Sequence, residues 1–409
     1  MVMATARVCG SIKARGCHTC AVRLCLTKAA LTFHNRLALS REDRKVSSMA
    51  EANSDLLSAG QQARLALYLA RHWSAGAVMI HNVSLLSGGA IQQNLAITLE
   101  IDSGDKAGTH ECVLRMDAPS EVAASLSRLE EYKVLSVAHV LGLTVPEPML
   151  ACDDATILGQ PFVMMHRVSG VAMGHKLVRL TVFDERPDEL VTELGKQLAR
   201  LHQVTPDDER AEALSFLPIP KHSAKQQRIQ LYRGYLDALS HDNAPDALAF
   251  EWGLRWLENQ MPESGPICLI HGDFRTGNYM VDPSSGRLTA ILDWEFAAWS
   301  DPMEDLGWLM AACWRFGRDE REVGGIGTRD ALFNAYNQEA EHLGLAHRVN
   351  VERVAYWQVM ALIRWGIIAR QQGERSAKER RLELALTSLM APEAAHQMIR
   401  AIKALEEAR

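Results

Sequence analysis

Asp273, Asn278 and Asp293 are the residues of this chain whose types and spacing most plainly allow chemistry. The first two lie in Ile270-His271-Gly272-Asp273-Phe274-Arg275-Thr276-Gly277-Asn278, the third in Leu292-Asp293-Trp294-Glu295. The carboxylate of Asp293 and the carboxamide oxygen of Asn278 are hard donors suited to Mg²⁺, an ion that usually keeps waters and substrate phosphates in its other positions. Asp273 is then left to orient a hydroxyl group and accept its proton.

These residues converge only if the chain reverses between 278 and 293. Ile267–Ile270 is a short apolar run that delivers the polar loop, and Asn278–Val281 leads into a second strand. Asp282-Pro283-Ser284-Ser285-Gly286 predicts a turn, because proline presets φ and glycine accepts positive φ. Leu288–Leu292 returns as the partner strand and carries Asp293 back toward Asp273 and Asn278. Asp301-Pro302-Met303-Glu304-Asp305-Leu306 follows at once.

His-Gly-Asp-x-x-x-x-Asn, then Asp-Trp-Glu, then Asp-Pro-x-x-Asp-Leu, in that order, resembles the aminoglycoside phosphotransferase and choline kinase superfamily of the protein-kinase-like fold. A polar hairpin with incidental acids needs no such set. The resemblance covers about residues 52–395 and is nearest to the branch associated with acyl-CoA dehydrogenases. It implies an α+β, two-lobed fold: an N-lobe at 52–165 built on a small antiparallel sheet, a hinge at 166–170, and a larger, mostly helical C-lobe at 171–409. The Asp301 and Asp305 carboxylates are expected to brace the loop through backbone N–H groups.

The remaining site residues follow from the same resemblance. Gly88 and Gly89 fall where the superfamily has a flap over the nucleotide, glycine letting the backbone approach phosphate oxygens. Arg115, in Cys112-Val113-Leu114-Arg115-Met116, stands where the third strand bears a phosphate-binding cation, with Glu131 of the next helix as its partner. Met165 and Arg167, in the strand and linker Phe162-Val163-Met164-Met165-His166-Arg167-Val168, fall at the adenine-binding hinge. Arg275 either touches the γ-phosphate or pairs with an acid. The cofactors implied are ATP or GTP with Mg²⁺, the partner a small molecule bearing a hydroxyl.

Composition narrows the alternatives. The chain has 409 residues, 47% hydrophobic and 23% charged, ordinary for a globular enzyme. No apolar run reaches spanning length; the best, Val354–Ala369, is interrupted by Gln358 and Arg364, so no membrane role is expected. Residues 1–48 carry nine Lys/Arg against Glu42 and Asp43, leaving 35 basic and 48 acidic residues beyond them. An acidic body without a basic stripe argues against nucleic acid. The first 48 residues lack periodicity and read as a disordered or non-native extension before Met49, or as an organellar transit peptide. The expected location is cytoplasmic in the first case, mitochondrial in the second. Cys17-His18-Thr19-Cys20 has no second pair for zinc, and Cys112, Cys152, Cys268 and Cys313 read as buried thiols of a reducing compartment.

Helical spacing is expected from Ser54 to His72, from Glu189 to Val204, from Met303 to Phe316 and through Val354, Trp357, Ala361, Trp365 and Ile368. Trp252 and Trp256 share a face, and Trp294, Trp299, Trp308 and Trp314 are expected in the core. Gly324-Gly325-Ile326-Gly327 is either a loop closing over the acceptor or a connector, and 373–381 a charged linker. The expected activity is transfer of the γ-phosphoryl group to a hydroxyl of a small molecule such as a hydroxyacyl-CoA or hydroxy acid. An aminoglycoside or macrolide kinase is the alternative, a silent nucleotide-binding pseudokinase a third reading. Lys221, Lys225 and Arg228, spaced i, i+4 and i+7, form either a cationic acceptor wall or a solvated helix face.

Overall fold

Apolar and β-branched residues between 78 and 166 form one antiparallel sheet. In the computed structural model, which describes residues 56–86, 93–116, 125–239, 245–379 and 382–408, its strands are β1 (Val78–Leu85), β2 (Gln93–Ile101), β3 (Gly108–Met116), β4 (Pro148–Cys152) and β5 (Phe162–His166). Their order is β1-β2-β3-β5-β4. Register pairs Arg115 with Asn94 on one side and with Val163 on the other, so Arg115 lies in the middle of the sheet. Residues Gln61–Arg409 make one compact unit, and Gly88 and Gly89 lie outside the described residues.

Helix α1 (Ala59–His72) precedes the sheet, and α2 (Arg128–Val140) follows β3. Ser127 starts α2 with a reciprocal capping box: its side chain accepts from the Glu130 N–H while Glu130 accepts from the Ser127 N–H. Leu126 N–H donates to the Glu295 carbonyl at 2.8 Å, tying the start of α2 to the segment after Asp293. Thus the chain that bears Glu131 is fastened at its entry to the segment that bears Asp293.

Beyond β5 the chain is mostly helical: α3 (Pro187–Leu201), α4 (Ala224–Asp237), α5 (Pro245–Asn259), α6 (Met303–Met310), α7 (Arg329–His342), α8 (Val351–Glu379), α9 (Leu382–Ser388) and α10 (Ala391–Glu407). Two small antiparallel pairs sit among them. β6 (Cys268–Ile270) pairs with β9 (Ala298–Ser300), and β7 (Tyr279–Val281) with β8 (Leu288–Ile291). The turn between β7 and β8 is held by the Asp282 carboxylate, which accepts from the N–H groups of Ser284 and Ser285, with Gly286 at φ 72°. Leu194, Leu198 and Leu201 of α3 are fully buried in the core shared with Phe250, Leu306 and Trp357. Among the described residues no helix is long and apolar enough to cross a membrane.

The α+β, two-part architecture expected from the sequence is the one observed. Several local expectations differ. Helix α1 begins at Ala59 rather than Ser54, and α6 stops at Met310, giving way to a 3₁₀ turn at Ala312–Trp314. The expected linker at 373–379 is the last two turns of α8, its glycine lying against Ser388. Trp256 is buried, but Trp252 is 45% exposed, so α5 does not bury both.

Candidate active site

The loop between β6 and β7 is built from hydrogen bonds that the backbone alone could not make. Gly272 has φ 75°, and a β-carbon there would lie 2.0 Å from the Phe296 carbonyl oxygen, so only glycine fits. Asp305, fully buried at the first turn of α6, accepts from the N–H groups of His271 (2.8 Å) and Gly272 (2.9 Å). Burial opposes its charge, yet the hydrogen bonds from His202 and the His271 backbone hold its carboxyl below the usual carboxylate range. His271 accepts the Asp273 N–H on Nδ1 at 3.1 Å, which leaves Nε2 to donate to the Leu292 carbonyl at 2.9 Å. His271 thereby ties the loop to the end of β8.

Asp273 stands at the centre, 8% exposed. Its Oδ1 accepts the indole N–H of Trp308 at 2.7 Å, and its Oδ2 accepts the Asn278 side-chain N–H at 2.5 Å. Arg275 Nε lies 3.4 Å from Oδ1, and the Arg275 guanidinium stacks 4.5 Å above the Trp314 ring. Arg364, from the middle of α8, donates to the Gly272 carbonyl at 2.5 Å and lies 4.0 Å from Oδ1. It also stacks on Trp308 at 4.1 Å and on Phe296 at 5.7 Å. The carboxylate is therefore aimed by one indole and one carboxamide and flanked by two guanidinium groups.

Asp293 has φ 61°, a left-handed conformation unusual for a residue other than glycine, and its side chain is 41% exposed. Asn278 spends its amide protons on Asp273, both on the carboxylate and on the backbone carbonyl, and its own side-chain oxygen accepts no bond among the described residues. One carboxylate and one carboxamide oxygen fit Mg²⁺, whose remaining positions are typically filled by water and phosphate. Among the described residues no group of three or more His, Cys, Asp and Glu forms a closed protein cage for a metal.

Arg115 donates to Glu131 Oε1 at 2.7 Å and lies 3.3 Å from Asp293 Oδ1. The expected Arg115–Glu131 pair is thus formed and extends to Asp293. These three line one cleft together with the apolar side chains of Pro146, Val163 and Met165. Glu295 beside them is pushed up to about 7 by burial and by the Glu131 charge, against the pull of Arg128.

Other expected roles change place. Arg167 is not directed into the cleft: its N–H donates to the Glu111 carbonyl at 2.8 Å and its guanidinium lies 3.5 Å from the Glu111 carboxylate. Arg275 pairs with an acid, the second of its two expected roles. Asp305 braces the loop, but Asp301 turns to the Met303 N–H and lies 3.8 Å from Lys225 and 3.7 Å from Arg353. The Lys221–Lys225–Arg228 face does not exist. Lys221 precedes the Ser223 cap of α4, Lys225 is 1% exposed with Nζ on the Glu263 carbonyl, and Arg228 is bound to Glu304 at 2.9 Å. Gly324–Gly327 is buried and fixed by the Thr276 hydroxyl on the Gly324 carbonyl at 2.9 Å, so it supports the loop from behind rather than covering an acceptor. Trp308 and Arg364, which touch the central carboxylate, were not singled out by the sequence.

The chain is similar to known proteins in sequence and in fold. The profile described as "Phosphotransferase enzyme family" matches residues 82–342. Acyl-CoA dehydrogenase family member 11 of Rattus norvegicus is 29% identical over 204 residues, 49% of this chain, and family member 10 of Mus musculus 25% identical over 227. The chain spans only about a quarter of the length of the first of these and a fifth of the second. Among solved structures, a Ralstonia eutropha JMP134 protein with a provisional aminoglycoside phosphotransferase assignment superposes with TM-score 0.61. It is 20% identical, and the match covers 83% of this chain and 98% of that one. The GDP complex of an aminoglycoside 2'-phosphotransferase IIIa variant gives 0.51 at 15% identity, covering 85% and 99% of the two chains.

Proposed function

Because this chain belongs to the phosphotransferase enzyme family, we propose that it transfers the γ-phosphoryl group of ATP or GTP to a hydroxyl of a small molecule. The observation that carries the reading is that three separate segments are tied together: Asn278 holds the Asp273 carboxylate, Arg115 reaches Asp293 in the cleft, and the Leu292 N–H on the Asn278 carbonyl, at 2.8 Å, joins the two pairs. Phosphoryl transfer asks little covalent chemistry of the protein and much alignment, which such a preset constellation provides. Asp273 orients the acceptor hydroxyl and takes its proton as the new O–P bond forms and the bond from phosphorus to the β,γ-bridging oxygen breaks. Trp308 and Asn278 fix the direction of that carboxylate. Arg115, kept rigid by Glu131, holds nucleotide phosphate oxygens, and the apolar side chains of Val163 and Met165 take the base. Mg²⁺ held by Asp293 and Asn278 supplies neutralisation of charge on the phosphates.

We further propose that the acceptor is a hydroxyacyl-CoA or a hydroxy acid. Support comes from the named relatives, acyl-CoA dehydrogenase family members that share this segment at 25–29% identity. The two guanidinium groups beside Asp273 also suit an acceptor without positive charge better than a polycationic antibiotic. The test is a screen of hydroxyacyl-CoA thioesters, free hydroxy acids, aminoglycosides and macrolides for acceptor-dependent ADP or GDP release, with Asp273→Ala as the control. Turnover with a hydroxyacyl compound that Asp273→Ala abolishes is the expected result. Turnover with antibiotics alone would move the assignment to the antibiotic kinases, and nucleotide binding without turnover on any acceptor would favour a silent binding protein.

A further inference from the structure

Arg128 occupies the first position of α2, where the helix dipole disfavours a cation. It is nevertheless buried, at 5% exposure. Its compensation is explicit: one guanidinium nitrogen bonds Glu131 Oε2, and the other lies 3.3 Å from Glu295 Oε2. Glu131 is therefore gripped on both oxygens, by Arg128 on one and by Arg115 on the other. Asp293, Arg115, Glu131, Arg128 and Glu295 form one alternating chain of charges that joins β3, α2 and the segment after β8. Its two ends, Asp293 and Glu295, are two residues apart in sequence, so the chain closes on itself. The Leu126 N–H on the Glu295 carbonyl adds a backbone bond to the same junction.

We propose that Arg128 and Glu295 are positioning residues for nucleotide binding: their bridge holds α2 against the Asp293–Glu295 segment, so that Arg115 and Asp293 meet the phosphates in register. Neither residue need touch the nucleotide. Without the bridge, the side-chain tie between α2 and the Asp293–Glu295 segment is lost, and α2 can shift relative to Asp293 while the Arg115–Glu131 pair persists. A bond that sets geometry in this way shows itself as coupling between its two partners rather than as two independent losses. The inference rests on the phosphotransferase reading, since it assigns these charges to nucleotide recognition.

The experiment titrates the full chain with a fluorescent N-methylanthraniloyl ATP and Mg²⁺, without any acceptor, well below the melting temperature. Arg128→Met, Glu295→Gln and the double variant are compared with wild type, and Arg128→Lys serves as the conservative rescue. The expected result is a Kd raised about tenfold in each single variant, no further rise in the double, and partial recovery in Arg128→Lys. Glu295→Gln is isosteric and carries the test should Arg128→Met fail to fold. Kd values within twofold of wild type, with only the melting temperature lowered, would make the bridge structural and overturn the proposal. So would losses that simply multiply in the double variant. A wild-type chain that binds neither this probe nor its GTP counterpart would instead refute the phosphotransferase reading beneath it.

Discussion

Replacing Trp308 by Phe removes one hydrogen bond and leaves most of an aromatic ring in place. The bond is short, 2.7 Å from the indole nitrogen to Asp273 Oδ1, and it joins a donor 3% exposed to a carboxylate 8% exposed. A hydrogen bond to a charged group contributes about 1.5–3 kcal/mol. If that energy serves to aim the carboxylate at the acceptor hydroxyl, its loss lowers kcat by about 10- to 150-fold. The nucleotide side of the site is untouched, because Arg115, Glu131 and Asp293 make no contact with the indole. The assay is steady-state nucleoside diphosphate release on the acceptor found by screening, with KM for nucleotide determined separately. Trp314→Phe is the matched control: Trp314 is also buried and meets Trp308 edge-on, but its indole N–H has no partner among the described residues, and phenylalanine keeps a ring under Arg275. Trp314→Phe therefore keeps kcat within about threefold of wild type on this reasoning. A Trp308→Phe enzyme with unchanged kcat, or two variants equally impaired, would refute the idea that the indole aims Asp273.

Three further outcomes are expected. Asp293→Asn shifts the Mg²⁺ dependence of activity to higher concentration, since it removes the charged donor of the pair; an unchanged Mg²⁺ titration would remove Asp293 from the metal site. Lys225→Met destabilises the fold by about 3 kcal/mol in urea unfolding, because it strips a buried cation from beside Asp301, whose Oδ2 accepts no hydrogen bond among the described residues. Its acceptor KM stays at the wild-type value at low and high salt, and a salt-dependent KM would return Lys225 to the acceptor wall. Burial and the neighbouring charges push His347 down to about 4 from an ordinary value of 6.5. The unfolded chain therefore binds this proton first, so stability is full above about pH 6.5 and falls as pH drops toward about 4. His347→Gln should flatten the melting temperature across that window, and an unchanged slope would exclude this histidine as its source.

The parts of the site that were legible in the sequence are those held within one hairpin or one short loop. Asp273, Asn278 and Asp293 converge because the Asp282–Gly286 turn reverses the chain, and turn chemistry is local. Trp308 and Arg364 were not legible, since their partners lie 35 and 92 residues away and only packing brings them together. In the sequence Trp308 reads as core, which it also is. Arg364 appears there only as a break in an apolar helix. The Lys225 and Arg228 reading failed for a different reason. Helical spacing can show that side chains share a face, but it says nothing of whether that face meets water or the carboxylates of another helix. The Arg167 N–H continues the β3–β5 pairing onto the Glu111 carbonyl, a non-local bond that the segment alone does not reveal. The length of α8 was underestimated because Gly373, a helix breaker in isolation, lies in tight contact with Ser388 of α9.

Helix α6 is only eight residues long, yet three of its residues face three different tasks. Glu304 holds Arg228 of α4, Asp305 holds the backbone of His271 and Gly272, and Trp308 holds the carboxylate of Asp273. It acts as a common mount, so a displacement at one station is felt at the others. Pulling α4 outward would drag on Glu304 and, through barely two turns, tilt the Asp273 carboxylate. A graft that replaces α4 should therefore carry its Arg228 with it, so that the mount under Asp273 keeps its place.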